Sequence, residues 1–199
     1  MDFENRIKGY ITETLIEGIL TDAGYRVLRI GLEKQVLDRL LIDTAPDDFV
    51  TVPRAIRTMP DFLVLGDDSP RLVEVKYRSE WESSRARLGE KIAPQLELFP
   101  NTEVVVCCGR PPEGSSHTLA MNHLKVIRPS LDAQGRVCHT SKQQGCRPLA
   151  ETPWSQLYSL STQFPKVGDR REIGTLKLAA QLLSDLERAF APGQAATMT

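Results

Sequence analysis

The stretch MPDFLVLGDDSPRLVEVKYR, residues 59–78, carries the strongest structural signal in the chain. Two runs rich in valine and leucine, residues 61–65 and 71–77, flank GDDSP, whose Gly, Asp, Ser and Pro are typical turn residues. The pattern predicts a β-hairpin. Apolar residues on both faces of the second strand indicate a strand that is buried on both sides.

The register of this hairpin decides which side chains share a face. A symmetric turn places Leu63 opposite Leu72 and Asp61 opposite Glu74, with Cβ atoms about 5 Å apart. Because side chains alternate with a period of two, Lys76 lies on the same face as Glu74. Two carboxylates and an ammonium therefore gather on an otherwise apolar surface, which is costly unless the charge is compensated.

A divalent cation would compensate this charge. Mg²⁺ takes oxygen ligands and is commonly held by one or two carboxylates together with a substrate phosphate. Asp61 and Glu74 supply such a pair, and the main-chain carbonyl of Val75 is a further candidate ligand. Lys76 beside the metal would orient or help to deprotonate a water, or stabilise charge developing at phosphorus. These residues predict phosphodiester hydrolysis.

Pro60-Asp61 followed by Glu74-Val75-Lys76 resembles the motif of the PD-(D/E)xK nuclease superfamily. The resemblance implies a restriction endonuclease-like fold, which is a three-layer α/β architecture with a central mixed sheet flanked by helices. It also implies a Mg²⁺-dependent deoxyribonuclease, most simply an endonuclease, in which Mn²⁺ can substitute. Asp61 and Glu74 would hold the metal, and Lys76 would assist the water.

The first helix extends this resemblance. In members similar to Holliday-junction resolvases, Lys-Gly is followed by a glutamate and then by a Gly-aromatic pair. Lys8-Gly9, Glu13 and Gly24-Tyr25 match that spacing, which implies that Glu13 is an auxiliary catalytic acid. Glu17, one helical turn further along, is the alternative. Such enzymes also carry a Gln or Lys on the helix after the motif, and Gln95 is the candidate for a contact with water or phosphate.

Periodicity outlines the rest of the chain. Amphipathic spacing predicts helices at residues 3–23, 79–99 and 172–190, and apolar runs predict strands at 25–30 and 102–108. A weaker helix is expected at 32–43, and the segment 45–58 reads as partly extended. Residues 1–110 would form the nuclease core, 111–191 a C-terminal extension of the same domain with a strand, a turn-rich insertion and a helix, and 192–199 a disordered tail. The last helix would close the core or pack against a second subunit, and a homodimer would supply two sites for a duplex.

The composition is that of one globular domain. Of the 199 residues, 41% are hydrophobic and 26% are charged. No run reaches the length of a membrane span and the N-terminus lacks a signal-peptide pattern, which predicts a cytoplasmic protein. The formal net charge is −1, so any contact with nucleic acid must come from a local basic patch. The candidates flank the motif: Arg54, Arg57, Arg78, Arg85, Arg87 and Lys91.

Three functions fit these residues. The first is metal-dependent hydrolysis of DNA by two carboxylates and a lysine. The second is a nucleic-acid-binding or assembly subunit that keeps the fold without turnover, although such proteins usually lose one of the acids or the lysine. The third is an RNA-directed endonuclease, which the motif does not exclude.

Overall fold

The computed structural model describes residues 3–31, 53–66, 69–112, 120–141, 145–169 and 174–190. Its helices are α1 (Phe3–Asp22), α2 (Arg54–Arg57), α3 (Arg85–Leu96), α4 (Ala120–His123), α5 (Leu160–Gln163), α6 (Pro165–Asp169) and α7 (Gly174–Ala189). Its strands are β1 (Arg26–Arg29), β2 (Phe62–Leu65), β3 (Arg71–Glu80), β4 (Thr102–Arg110), β5 (Leu124–Ile127), β6 (Pro129–Leu131), β7 (Val137–Ser141), β8 (Gly145–Pro148) and β9 (Tyr158–Ser159). The expected helix at 32–43 and tail at 192–199 lie outside the described residues.

The strands form two sheets. The larger has the order β1-β2-β3-β4-β5-β9, and β6, β7 and β8 form the smaller. In the larger sheet β3 and β4 pair in parallel, and the other neighbours are antiparallel. Helix α3 makes the connection between β3 and β4, because a parallel pair needs a crossover. The chain is therefore a mixed α/β protein with a mixed sheet.

Helix α1 ends where the sequence predicts. Gly24 adopts φ +92°, a left-handed conformation that favours glycine. The N–H of Tyr25 then donates to the carbonyl of Leu20 at 3.0 Å, which satisfies an otherwise unpaired carbonyl of the last turn. This reversal leads the chain directly into β1.

The hairpin of β2 and β3 has the predicted register. Leu63 pairs with Leu72 and Phe62 pairs with Val73. Asp61 immediately precedes β2, at the end of the sheet where β3 carries Glu74. The alternation of side chains therefore brings the two acids to the same face.

The larger sheet is covered on both faces. On one face, α1 and α7 pack against the odd-numbered residues of β4, such as Val105 and Cys107. On the other, α3 packs against Val104 and Val106. Strand β4 is thus buried on both sides. In β3, for which the sequence predicted such burial, only Val73, Glu74 and Val75 are buried. None of the helices in the described ranges combines the length and the apolar character needed to cross a membrane.

Three expectations about elements need correction. Strand β3 continues to Glu80, because it pairs with β4 as far as Arg110, so α3 begins at Arg85 and not at residue 79. The turn-rich insertion folds into the three strands β6, β7 and β8. In α7 the core side includes Leu183, but Leu178 and Leu182 are exposed and lie outside the apolar face that the sequence suggested.

Candidate active site

Asp61 is held from two sides. The main-chain N–H groups of Ile30 and Gly31, just after β1, donate to its carbonyl at 3.0 and 3.3 Å. The N–H of Val75 on β3 donates to its carboxylate Oδ2 at 2.8 Å. A Cβ at Gly31 would lie 3.3 Å from the Cα of Asp61, so the absence of a side chain permits this close approach. The position of Asp61 therefore depends on both neighbouring strands.

Glu74 is the buried partner of Asp61. It is 6% exposed, and its Oε2 accepts a hydrogen bond from Nε2 of Gln95 at 2.8 Å. Its Oε1 accepts from the ammonium of Lys76, two residues along β3. Gln95 is itself buried on α3. It contacts the acid directly, so the structure favours a positioning role for Gln95 over the predicted contact with water or phosphate.

The electrostatics of this group favour a cation. Burial, and then the neighbouring charge of Glu74, raise the pKa of Asp61 from its ordinary value to about 7, against the opposing effect of Lys76. Burial works against the ammonium of Lys76, but the carboxylates of Glu74 and Asp61 outweigh it and raise the pKa of Lys76. Lys76 is thus held in its charged form, and one ammonium does not fully neutralise the two acids.

Glu13 and Glu17 differ clearly in their surroundings. Glu13 is 6% exposed and faces the same cleft as Asp61, whose pKa its charge also raises. Glu17 binds the guanidinium of Arg29, with Nε donating at 2.8 Å, whereas Nη1 of Arg29 lies 4.0 Å from Glu13. The structure therefore favours Glu13 as the auxiliary acid, and it assigns Glu17 to holding Arg29 at the end of β1.

The acids lie in a cleft of about 1160 Å³ that runs along β3 and α3. The predicted site residues that line it are Glu13, Asp61, Glu74, Val75, Lys76, Gln95, Arg57, Arg78, Arg87 and Lys91. Within the described ranges, no group of three or more His, Cys, Asp or Glu side chains is arranged to hold a metal ion. A cation here would accordingly depend on Asp61 and Glu74, with water and substrate supplying further oxygens.

No family model, curated protein or solved structure matches this chain. The interpretation of the cleft therefore rests on its geometry and chemistry.

Two of the predicted basic residues do not line the cleft. Arg54 binds the carboxylate of Glu97 on the surface. Arg85 donates to the carbonyl of Thr152 at 3.1 Å and pairs with Glu82 at 2.7 Å. Both guanidinium groups are engaged elsewhere, so neither belongs to the cationic wall of the cleft.

The cleft also contains cations that were not predicted from the sequence. It is lined by Arg6, Arg29 and Arg110 as well. Of these, only Arg29 had a distinguishing position in the sequence, because it ends the strand that precedes the motif. Arg110 pairs through Nε with Glu187 at 3.2 Å and through Nη1 with Glu80 at 3.2 Å. Glu187 lies on the last helix, so no local pattern could have associated it with this site.

Glu187 links α7 to Tyr77, which lines the cleft. It accepts hydrogen bonds from the hydroxyl of Tyr77 and, at 3.3 Å, from Nζ of Lys8. Burial opposes its charge, but the donors Tyr77, Ser79 and Lys8 outweigh burial and lower the pKa of Glu187. Tyr77 follows the candidate catalytic Lys76, so this network fixes the backbone of β3 beside the acids.

Gly109 leaves room for this network. A Cβ there would clash with Cγ of Glu187 and with the hydroxyl of Tyr77. We expect Gly109→Ala to lower the free energy of unfolding by about 1–3 kcal/mol, because the network must shift to make room. Gly9→Ala is the control, since a Cβ at Gly9 has no atom within 4 Å. Gly9 lies inside α1, so this change should stabilise the helix by up to about 1 kcal/mol. Urea unfolding of both variants measures the difference, and equal stabilities would contradict the expected clash.

Proposed function

We propose that this protein is a metal-dependent nuclease of the PD-(D/E)xK type, with a restriction endonuclease-like fold, that hydrolyses phosphodiester bonds in DNA. One observation carries the proposal. Asp61, Glu74 and Lys76 converge at the floor of a cleft whose wall is cationic. Sequence spacing suggested the same three residues, and the geometry supports their joint action.

The two acids fit a hard divalent cation. Burial and mutual repulsion disfavour two adjacent carboxylates, as the raised pKa of Asp61 indicates. A bound Mg²⁺ or Mn²⁺ would relieve that repulsion, polarise a phosphate oxygen and make a nearby water more acidic. Gln95 holds Glu74 in place by its hydrogen bond to Oε2. Glu74 is thus held by a residue of α3, and Asp61 is held by the backbone next to β1 and in β3.

Lys76 supplies positive charge at the same place. Because its pKa is raised, its ammonium is protonated at neutral pH and donates hydrogen bonds. In that form it stabilises negative charge that develops on the phosphate oxygens and orients an attacking water. Glu13 lines the same cleft, and in this proposal it would accept a hydrogen bond from that water.

The surrounding charge favours a polyanionic substrate. The chain has a formal net charge of −1, yet the cleft is lined by Arg6, Arg57, Arg78, Arg87 and Lys91 in addition to Lys76. Phosphate contacts of this kind position a nucleic acid without reading its bases. The cleft volume of about 1160 Å³ leaves room for more than a single nucleotide.

A cleavage panel tests the proposal. Labelled supercoiled, linear, single-stranded and four-way-junction DNA, with RNA of matching sequence, would be incubated with Mg²⁺, Mn²⁺ or a chelator. Metal-dependent cutting of any DNA supports the proposal, and the pattern of products separates endonuclease from exonuclease action. Cutting confined to RNA would indicate the RNA-directed enzyme. Tight binding without cutting would indicate a binding subunit.

Glu13 and Glu17 provide a matched pair of substitutions on one helix. We expect Glu13→Gln to reduce the cleavage rate by about 10- to 100-fold, because its carboxylate faces the acids of the cleft. Glu17→Gln should stay within about 3-fold of the wild type, since Glu17 contacts Arg29 on the exposed side. Initial rates on the substrate identified by the panel measure both effects. Equal losses of cleavage rate in the two variants would contradict the assignment of Glu13 as the auxiliary acid.

A further inference from the structure

Three cations form a separate cluster beside the candidate catalytic residues. Arg78 lies two residues after Lys76 on the same face of β3. Arg87 and Lys91 lie one helical turn apart on α3, which packs over that face. All three line the cleft. We call Arg78, Arg87 and Lys91 the cation cluster.

The cluster differs from Arg29 and Arg110 of the same cleft in having no acidic partner among the described residues. Arg29 pairs with Glu17, and Arg110 pairs with Glu80 and Glu187. By contrast, none of the three cluster residues forms an ion pair with a carboxylate in the part of the chain that the structure describes. Arg78 donates a hydrogen bond to the carbonyl of Tyr77 at 2.6 Å. Within the described ranges, the three positive charges therefore have no compensating carboxylate.

The three charges are close enough to act on one another. Burial, and then the charge of Arg87, lower the pKa of Arg78 to about 10. Burial, followed by Arg78, Arg87 and Lys76, lowers the pKa of Lys91. The charged forms of Arg78 and Lys91 are thus disfavoured by their cationic neighbours. An anion placed among them would remove this repulsion.

We infer that the cation cluster is a subsite for the terminal phosphate of a nucleic-acid strand, next to the phosphate that is cut. A phosphomonoester carries a charge of about −1.5 to −2 at neutral pH and offers three acceptor oxygens, whereas an internal phosphodiester carries a single charge. Three cations that lack a carboxylate partner in the described ranges match the monoester better. Two of them are arginines, whose guanidinium groups bind phosphate oxygens in pairs. The placement of this subsite next to the phosphate that is cut rests on the proposed function. The preference for a terminal phosphate does not depend on it.

Binding without turnover tests this inference. The probes are three DNA strands of one sequence with an internal fluorophore, one with a 5′-phosphate, one with a 3′-phosphate and one with two hydroxyl ends. Fluorescence anisotropy of the full chain is measured with a chelator present. We expect one phosphorylated probe to bind about 5- to 10-fold more tightly than the hydroxyl probe, and inorganic phosphate to reduce that difference by competition.

Matched arginines on α3 provide the control. Arg87→Gln should remove the preference for the phosphorylated end, and it should also weaken the dependence of log Kd on log salt concentration by about one unit. Arg85→Gln should change neither, because Arg85 is engaged by Glu82 and Thr152 outside the cleft. Equal binding of the three probes overturns the inference, as do equal effects of the two substitutions. An Arg87→Gln effect that is the same on all probes would assign the cluster to an internal phosphodiester and would also overturn it.

The two proposals fail separately. A preference for the phosphorylated end without cleavage of any substrate would leave the subsite standing and reject the nuclease. Cleavage without that preference would reject only the subsite.

Discussion

Asp61→Asn is expected to lower the rate of metal-dependent cleavage by about 10³-fold or more. Asparagine keeps an oxygen that accepts the hydrogen bond from the N–H of Val75, so the local geometry should persist. It removes the negative charge that a divalent cation needs beside Glu74. Initial rates under saturating Mg²⁺ measure the loss. Cleavage within about 10-fold of the wild-type rate would contradict the assignment of Asp61 as a metal ligand.

The same substitution should make the metal-free protein more stable. Because the pKa of Asp61 is raised from its ordinary value to about 7, its ionisation opposes folding, and this effect grows as the pH rises from about 4 to 7. Asp61→Asn should therefore raise the melting temperature by a few degrees at pH 8 and leave it unchanged near pH 4. A lower melting temperature at pH 8 would indicate that the carboxylate has a stabilising partner that asparagine cannot replace.

Metal binding can also be read from stability. Millimolar Mg²⁺ should raise the melting temperature of the wild type but not that of Asp61→Asn.

Asp132→Asn is a useful control for the cleavage assay. Asp132 accepts hydrogen bonds from the N–H groups of Gln134 and Arg136 in a turn outside the cleft. That variant should cut at the wild-type rate.

Lys76→Met is expected to reduce kcat by about 10²- to 10⁴-fold, while DNA binding stays within about 3-fold. Methionine preserves most of the apolar stem and removes the ammonium that pairs with Glu74. Binding should persist because Arg78, Arg87 and Lys91 still line the cleft. Single-turnover rates and anisotropy measure the two quantities separately. A parallel loss of binding and rate would indicate that Lys76 contributes only general electrostatic attraction.

Lys125→Met is the matched control for Lys76. Val106 of β4 pairs with Lys76 on one side and with Lys125 on the other, so the two lysines occupy the same row of the sheet. Lys125 does not line the cleft, and burial lowers its pKa. Its substitution should leave kcat within about 3-fold of the wild type. Equal losses from both lysines would point to a shared effect on the sheet.

The sequence was sufficient where contacts are local. Turn residues and the alternation of apolar residues predicted the hairpin, and the pairing of Leu63 with Leu72 confirms its register. This works because side-chain direction in a strand follows a period of two, which leaves few registers that bury the apolar face. The same argument brought Asp61 near Glu74. The stop at Gly24 was likewise predictable, because glycine adopts the left-handed conformation at little cost.

The local sequence pattern did not predict the position of charged residues whose partners lie far away in the sequence. Arg54, Arg85 and Arg87 look alike in the sequence, but only Arg87 lines the cleft. Arg54 forms an ion pair with Glu97. Arg85 donates a hydrogen bond to the carbonyl of Thr152, 67 residues further along the chain. The choice between Glu13 and Glu17 was open for the same reason, because Arg29 on β1 decides it.

The amino-acid sequence by itself determined the hairpin, its register and the grouping of Asp61, Glu74 and Lys76, because all of these follow from spacing within about 20 residues. The tertiary structure alone decided how the site is supported. The crossover of α3 brings Gln95 to Glu74, and α7 brings Glu187 to Tyr77, 110 residues earlier. Such contacts depend on the order of strands in the sheet and on which helix covers which face. That arrangement is set by the burial of apolar surface over the whole domain, which no short motif records.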